Sequence, residues 1–277
     1  MTTRKHALLL FSKPPLPGEV KTRLTREKGG PFSEEEAAEI FRRTMFDVSE
    51  LCCLALYEME QESKAEVAAN PAAAPKSYDF FVSTTPVENV EIIKHTFEEI
   101  GEWPRHFTYI ADRGRSYDEH LQDAFQQIFD LEYDSVLYVS PDAPLLPREH
   151  VLNGLRWLDY FGQTSSVGGV VQATTQDGDV CLIGWTRNAD IDHLDVTSDQ
   201  RGRPPLDIYL GKAADKGIPL ITLPPVLGFD DINDFAQTVT QARALRYSQK
   251  YQPDLYLPIR FLDWVDWRGI KVGNPPA

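Results

Sequence analysis

Residues 7–24, ALLLFSKPPLPGEVKTRL, decide the fold. Five apolar residues in a row, Ala7 to Phe11, are too few for a helix and are stopped by proline, so they read as a strand buried on both faces. Pro14, Pro15 and Pro17 then fix the dihedrals of the following loop. Gly18 permits a positive φ and a close approach to the backbone, and Lys21 and Arg23 add cationic donors. A rigid, cationic loop at the carboxyl end of a strand suits phosphate groups. The competing reading is a proline-bent turn with solvated side chains. The GxxxxGK[ST] spacing of a Walker loop is absent.

Outward from that stretch the pattern alternates. Ser33 and Glu36 form a capping box that opens a helix carrying Ala37, Ile40, Phe41, Met45, Val48 and Leu51 at helical spacing. Residues 58–77 turn polar and then Ala/Pro-rich, which predicts a mobile insertion. Strands are predicted over 78–85, 107–111, 135–140, 167–173, 180–185 and 219–223. Helices are predicted near 87–100, from Ser116 (a second capping box, with Glu119), near 147–158 and from Asp231 to about 248. The turn Gln176-Asp177-Gly178-Asp179 makes a late β-hairpin of the strands around it. This order predicts an α/β fold: a mostly parallel sheet with helices on both faces, the hairpin allowing an antiparallel edge strand. Residues 1–248 read as one domain and 249–277 as a C-terminal extension. The extension and its approach are rich in aromatics (Tyr247, Tyr251, Tyr256, Phe261, Trp264, Trp267), a surface that packs on the domain or on a second copy of the chain.

Composition limits the functions. The 277 residues carry a net charge of −14, against nucleic-acid and anionic-membrane partners, though a local cationic cluster can still meet an anionic small molecule. No stretch reaches the roughly 20 apolar residues of a membrane span. Cys52, Cys53 and Cys181 supply neither a disulfide framework nor a CxxC site, which predicts a reducing, cytoplasmic setting. The six histidines show no ligand spacing and most of them read as surface residues, and no GxSxG elbow is present.

In open α/β sheets, ligands bind beyond the carboxyl ends of the strands. There, Pro141-Asp142-Ala143-Pro144 follows the strand at 135–140, and Asp142 suits a divalent cation bound jointly with phosphates, or else a simple turn or cap. Asp177 and Asp179 sit in the hairpin turn, where Asp-Gly is also an ordinary turn dipeptide. Asp230, Asp231 and Asp234 crowd the stretch GFDDIND; one caps a helix and another can join Asp142 at a metal.

LLLFSKPPLPGEVKTRL, SPDAPLL, QDGDVCLIG and GFDDINDF, in this order, resemble a bacterial transferase family known as domain of unknown function 2064, over roughly residues 6–240. That family lies in the GT-A, or nucleotide-diphospho-sugar transferase, superfamily, and the Lys-Thr-Arg-Leu element is also similar to that of 2-phospholactate guanylyltransferases. The resemblance implies a GT-A (Rossmann-like) fold and phosphate contacts from Lys21 and Arg23 on a loop shaped by Pro17 and Gly18. It also implies that Asp142 and Asp230 hold Mg²⁺ or Mn²⁺, with Asp177 as the matching aspartate of the Asp-Asp-Gly-Gly motif. Gln176, Asp179, Val180, Cys181 and Gly228 depart from the family pattern, and they fall where an acceptor would bind. The expected activity is transfer of a nucleotide from a nucleoside triphosphate to a small phosphate or phosphonate acceptor, with Lys21, Arg23 and Asp177 as catalytic residues. Glycosyl transfer from a nucleotide sugar, with Asp177 as base, uses the same cation site. A non-catalytic nucleotide-binding scaffold is the third reading, and it has no need of Lys21, Arg23, Asp142 and Asp230 together.

Overall fold

The computed structural model describes residues 2–197 and 202–273. The opening strand is β1 (Arg4–Phe11), and Ala7 to Leu10 are fully buried. It pairs in parallel with β2 (Lys76–Thr84) on one side and β4 (Ser135–Val139) on the other; β3 (Phe107–Ala111) adds in parallel beyond β2. With β5 (Val170–Thr174), β6 (Val180–Thr186) and β7 (Leu220–Thr222), the seven strands run in the order β3-β2-β1-β4-β6-β5-β7. The hairpin is present, but its antiparallel strand is interior: β6 pairs antiparallel with both β4 and β5, and the edges are β3 and β7. β6 is buried on both faces, which suits the inside of a sheet and not its rim.

Alternate residues of the strands feed two cores. Leu8, Leu10, Phe80, Val82, Leu137 and Val139 face α1 (Glu34–Ala69), α2 (Asn89–Glu98) and α4 (Arg148–Thr164). Ala7, Leu9, Phe81, Val136 and Tyr138 face α3 (Tyr117–Asp130) and α5 (Pro205–Asp215). A third core joins Leu24 and Phe32, from the chain after β1, to Phe229, to Phe235 and Val239 of α6 (Ile232–Ser248), and to Phe261 and Trp264 of α7 (Ile259–Trp267).

One further expectation changes. Residues 58–69 are not a mobile insertion; they are the last three turns of α1, followed by a short turn into β2. The apolar stripe fades there because only Met59 and Ser63 face inward. Glu60, Glu62 and Glu66 instead pair with Arg105, Arg156 and Lys76. The aromatic tail packs on its own domain: α7 lies against α1, and buried Asp47 accepts the backbone N–H groups of Arg260 (3.1 Å) and Phe261 (2.9 Å), capping the helix from outside. Tyr247, Tyr251 and Trp267 remain exposed.

Candidate active site

A cleft of about 730 Å³ opens beyond the carboxyl ends of β1, β2 and β4 and the amino end of β6, and Lys21, Arg23, Asp142, Asp179, Asp230 and His120 are among its walls. The loop after β1 reaches it in a tightly controlled way. Gly18 turns the chain at φ +77, and a Cβ there would lie 3.2 Å from the Glu34 carboxylate. Lys21 follows in the left-handed region at φ 47, a conformation that costs a residue with a side chain about 1–2 kcal/mol. Pro17 and Gly18 are exposed and shape the turn; they do not line the cleft.

Lys21 Nζ lies 2.5 Å from Asp142 Oδ1 and 3.5 Å from Asp230 Oδ1. It also donates to the backbone carbonyl of Phe229 and sits 4.6 Å from the centre of that ring. The expected metal ligands and the expected phosphate lysine are thus brought together on one another. Three side chains far apart in sequence converge because Asp142 lies in the turn after β4, Lys21 ends the loop after β1, and Asp230 precedes α6. Of the three aspartates in GFDDIND, Asp231 and Asp234 are used by the helix: Asp231 caps it, and Asp234 Oδ2 accepts from the backbone N–H groups of Asp230 and Asp231. Only Asp230 is left for the cleft.

Asp177 is at the exposed tip of the hairpin and off the cleft wall, whereas Asp179, two residues on, is on it. Burial pushes the Asp179 carboxyl up, and the charges of Asp230 and Asp177 push it further, against Arg23, which pulls it down. Gln176, one of the departures from the family pattern, ties the hairpin to the last loop by donating to Asp234 (3.0 Å) and accepting from Gly228 N–H (2.7 Å). Gly228 is required by packing, since a Cβ there would fall 2.7 Å from Thr175 Cγ2.

The end of the cleft beyond β2 and β3 holds a pair that the sequence reading passed over. His120 Nδ1 lies 2.8 Å from Asp112 Oδ1, and Ser83 Oγ donates to Asp112 Oδ2 at 2.7 Å. Asp112 is 3% exposed, and burial pushes its carboxyl up, against Ser83 and His120. Histidine spacing in the sequence does not single out His120, which lines the cleft. Asp112, however, directly follows β3, so the rule that selected Asp142 was available to select it. A second buried carboxylate, Asp118, accepts from the N–H groups of Val196 (2.8 Å) and Thr197 and from the Thr197 hydroxyl (2.7 Å), fixing the segment after β6 as part of the cleft wall.

The donor set suits a hard divalent cation: two carboxylates converge on one cationic position, and Asp142 Oδ1 is buried with no hydrogen bond, Lys21 being its ionic partner. Mg²⁺ and Mn²⁺ sites commonly combine one or two such carboxylates with substrate phosphates. No group of three or more His, Cys, Asp or Glu side chains with metal-binding geometry occurs among the described residues.

Over residues 71–197 the chain matches DUF2064, the family described as uncharacterized proteins conserved in bacteria. The DUF2064 segment spans β2 through β6 and includes Asp142, Asp177 and Asp179; Lys21, Arg23 and Asp230 lie outside it. No curated protein matches the chain. Among solved structures, a provisionally assigned nucleotide-diphospho-sugar transferase from Desulfovibrio desulfuricans G20 is 19% identical, with 95% of each chain covered and a TM-score of 0.64. The two share the fold, which is GT-A-like and α/β. A cytidylyltransferase from Leptospira borgpetersenii serovar Hardjo-bovis is a more distant likeness, at 12% identity over 100% of this chain and 99% of that one, with a TM-score of 0.45. No helix among the described residues is long and apolar enough to cross a membrane.

Proposed function

We propose that this chain is a Mg²⁺- or Mn²⁺-dependent nucleotidyltransferase that joins a nucleotide from a nucleoside triphosphate to a small phosphate- or phosphonate-type acceptor, releasing pyrophosphate. The observation that carries the reading is the convergence of Asp142 and Asp230 on one cationic position, 2.5 and 3.5 Å from Lys21 Nζ, at the carboxyl ends of the strands. Asp142 and Asp230 would hold the divalent cation, which supplies charge neutralisation and orientation to the phosphates. Arg23 and Lys21 face the same charges from the β1 loop and neutralise what develops on the α-phosphate and the leaving pyrophosphate. The acceptor oxygen attacks phosphorus in line, and no covalent protein intermediate is needed. Across the cleft, the His120–Asp112 pair offers a fixed ring for the nucleoside portion.

Glycosyl transfer from a nucleotide sugar is the second reading, favoured by the description of the Desulfovibrio protein. In that case Asp179, with its carboxyl pushed upward, takes the acceptor proton. Asp177, at the hairpin tip, lies off the cleft wall that Asp179 lines. Buried, unpaired Cys52, Cys53 and Cys181 fit a reducing compartment, and we assign the chain to the cytoplasm on that basis.

The test is a thermal-shift panel of nucleoside triphosphates and nucleotide sugars with and without Mg²⁺, followed by a pyrophosphate-release assay. Ligand at a hundredfold excess over Kd stabilises by about 2.7 kcal/mol. A Mg²⁺-dependent shift with one triphosphate, lost in Arg23→Ala, is expected. A shift with a nucleotide sugar alone selects glycosyl transfer. No shift with any ligand leaves the scaffold reading.

A further inference from the structure

Lys21 is surrounded more completely than a phosphate-binding lysine waiting for its ligand. Its side chain is 4% exposed, and the two carboxylates, the Phe229 carbonyl and the Phe229 ring account for its surroundings. The carboxylates it bridges are 41% and 46% exposed, so the cleft reaches them although it hardly reaches the ammonium. The left-handed backbone at Lys21 holds the side chain on this course. An ammonium and a divalent cation cannot share these two oxygens, because their like charges would stand in contact.

We propose that Lys21 is the resident counter-ion of the divalent-cation position, and that cation and nucleotide therefore enter together. Resting on the nucleotide reading above, the sequence is an exchange. Phosphates arriving beside Arg23 give the Lys21 ammonium a new anionic partner, and the carboxylates it leaves take the divalent cation. Two carboxylates and one ammonium leave the resting position with a single net negative charge, a poor competitor for a dication. Once the ammonium has moved, the position carries two. Lys21 is then a positioning residue for the cation as well as a phosphate contact. By linkage, whatever factor the nucleotide adds to cation affinity, the cation adds to nucleotide affinity.

The experiment uses Mn²⁺ alone, titrated into the full chain without nucleotide, with free Mn²⁺ read by electron paramagnetic resonance. Wild type is expected to bind weakly, and Lys21→Met to bind more tightly by about tenfold or more, because a like charge in contact has been removed. The gain is expected to vanish in Lys21→Met/Asp142→Asn. Lys21→Gln, checked with Lys21→Met by near-ultraviolet circular dichroism, guards against a variant that fails to fold. Folded Lys21→Met and Lys21→Gln with wild-type Mn²⁺ affinity would overturn the proposal, as would a gain that survives Asp142→Asn. Because this titration contains no nucleotide, its failure is separable from a failure of the triphosphate panel.

Discussion

The two ends of β1 each carry a cluster of acid and base, built from the same chemistry to opposite effect. At the amino end, Asp159 of α4 contacts Arg4 Nη2 (3.2 Å), His6 Nε2 (3.3 Å) and Lys76 Nζ (2.9 Å), and Gln163 donates to it at 2.8 Å. His6 is fully buried, its other ring nitrogen is 2.8 Å from Ser135 Oγ, and Tyr78 stacks on it. At the carboxyl end, Lys21 holds Asp142 and Asp230. The Asp159 side chain is 9% exposed, against 41% and 46% for those two. A carboxylate that is buried and held by several partners fixes the packing of α4 on the sheet. Carboxylates that share one lysine and face a cleft are available for exchange. The lesson is that coordination and exposure, more than residue type, separate a structural ion cluster from a functional one.

Substitutions that treat the two ends alike should therefore give different results. Asp142→Ala is expected to lower turnover on the order of 10⁴-fold, about 5.5 kcal/mol of transition-state stabilisation, while the thermal melt stays near wild type. A large fall in the melt would mean that the carboxyl end is structural after all. Asp159→Asn should show the reverse pattern. Removing the anion leaves Arg4 and His6 without their ionic partner and Lys76 with Glu66 alone, a loss of about 3–5 kcal/mol, read as a lowered urea midpoint in chain that still binds nucleotide.

Acid sharpens the contrast. Burial alone would push the Asp159 carboxyl up, but the contacts with His6, Lys76 and Arg4 outweigh it and hold the group at about 2, from an ordinary value of 3.8. A depressed carboxyl stabilises the folded state above its unfolded value, so this contribution, roughly 2 kcal/mol, is present above pH ~4 and is lost as pH falls to about 2. Urea midpoints measured across that range should fall steeply in wild type and less in Asp159→Asn. The smallest effect is expected at the His120 end of the cleft, where His120→Ala should weaken nucleotide binding by about tenfold, roughly 1.4 kcal/mol, by isothermal titration. Unchanged affinity there would leave the His120–Asp112 pair with a packing role only.

Much of this was legible in the chain. Short apolar runs ended by proline or aspartate marked most of the strands, and the Ser33 and Asp231 caps marked two helices. Residues just after the strands nominated Lys21, Asp142 and Asp230. What was not legible was non-local. Nothing in residues 58–69 announces that Arg105, Arg156 and Lys76 wait for their glutamates. The interior place of β6 depends on which edge of β4 it meets. That Asp179 and not Asp177 lines the cleft depends on how the hairpin tip is turned. Helices α5 and α7, the first opened by Pro205 and the second only nine residues long, show too little period to stand out.

The third core makes the end of the chain a working part of its beginning. Phe229 supplies both the carbonyl and the ring that Lys21 rests on, and Phe261 of the last helix packs on that same ring, with centroids 5.7 Å apart. A deletion made by motif, after residue 248, would retain each candidate catalytic side chain and remove the masonry behind Phe229. Such a shortened chain is expected to resemble an active-site mutant in its defects, although no residue of the cleft wall would have been touched.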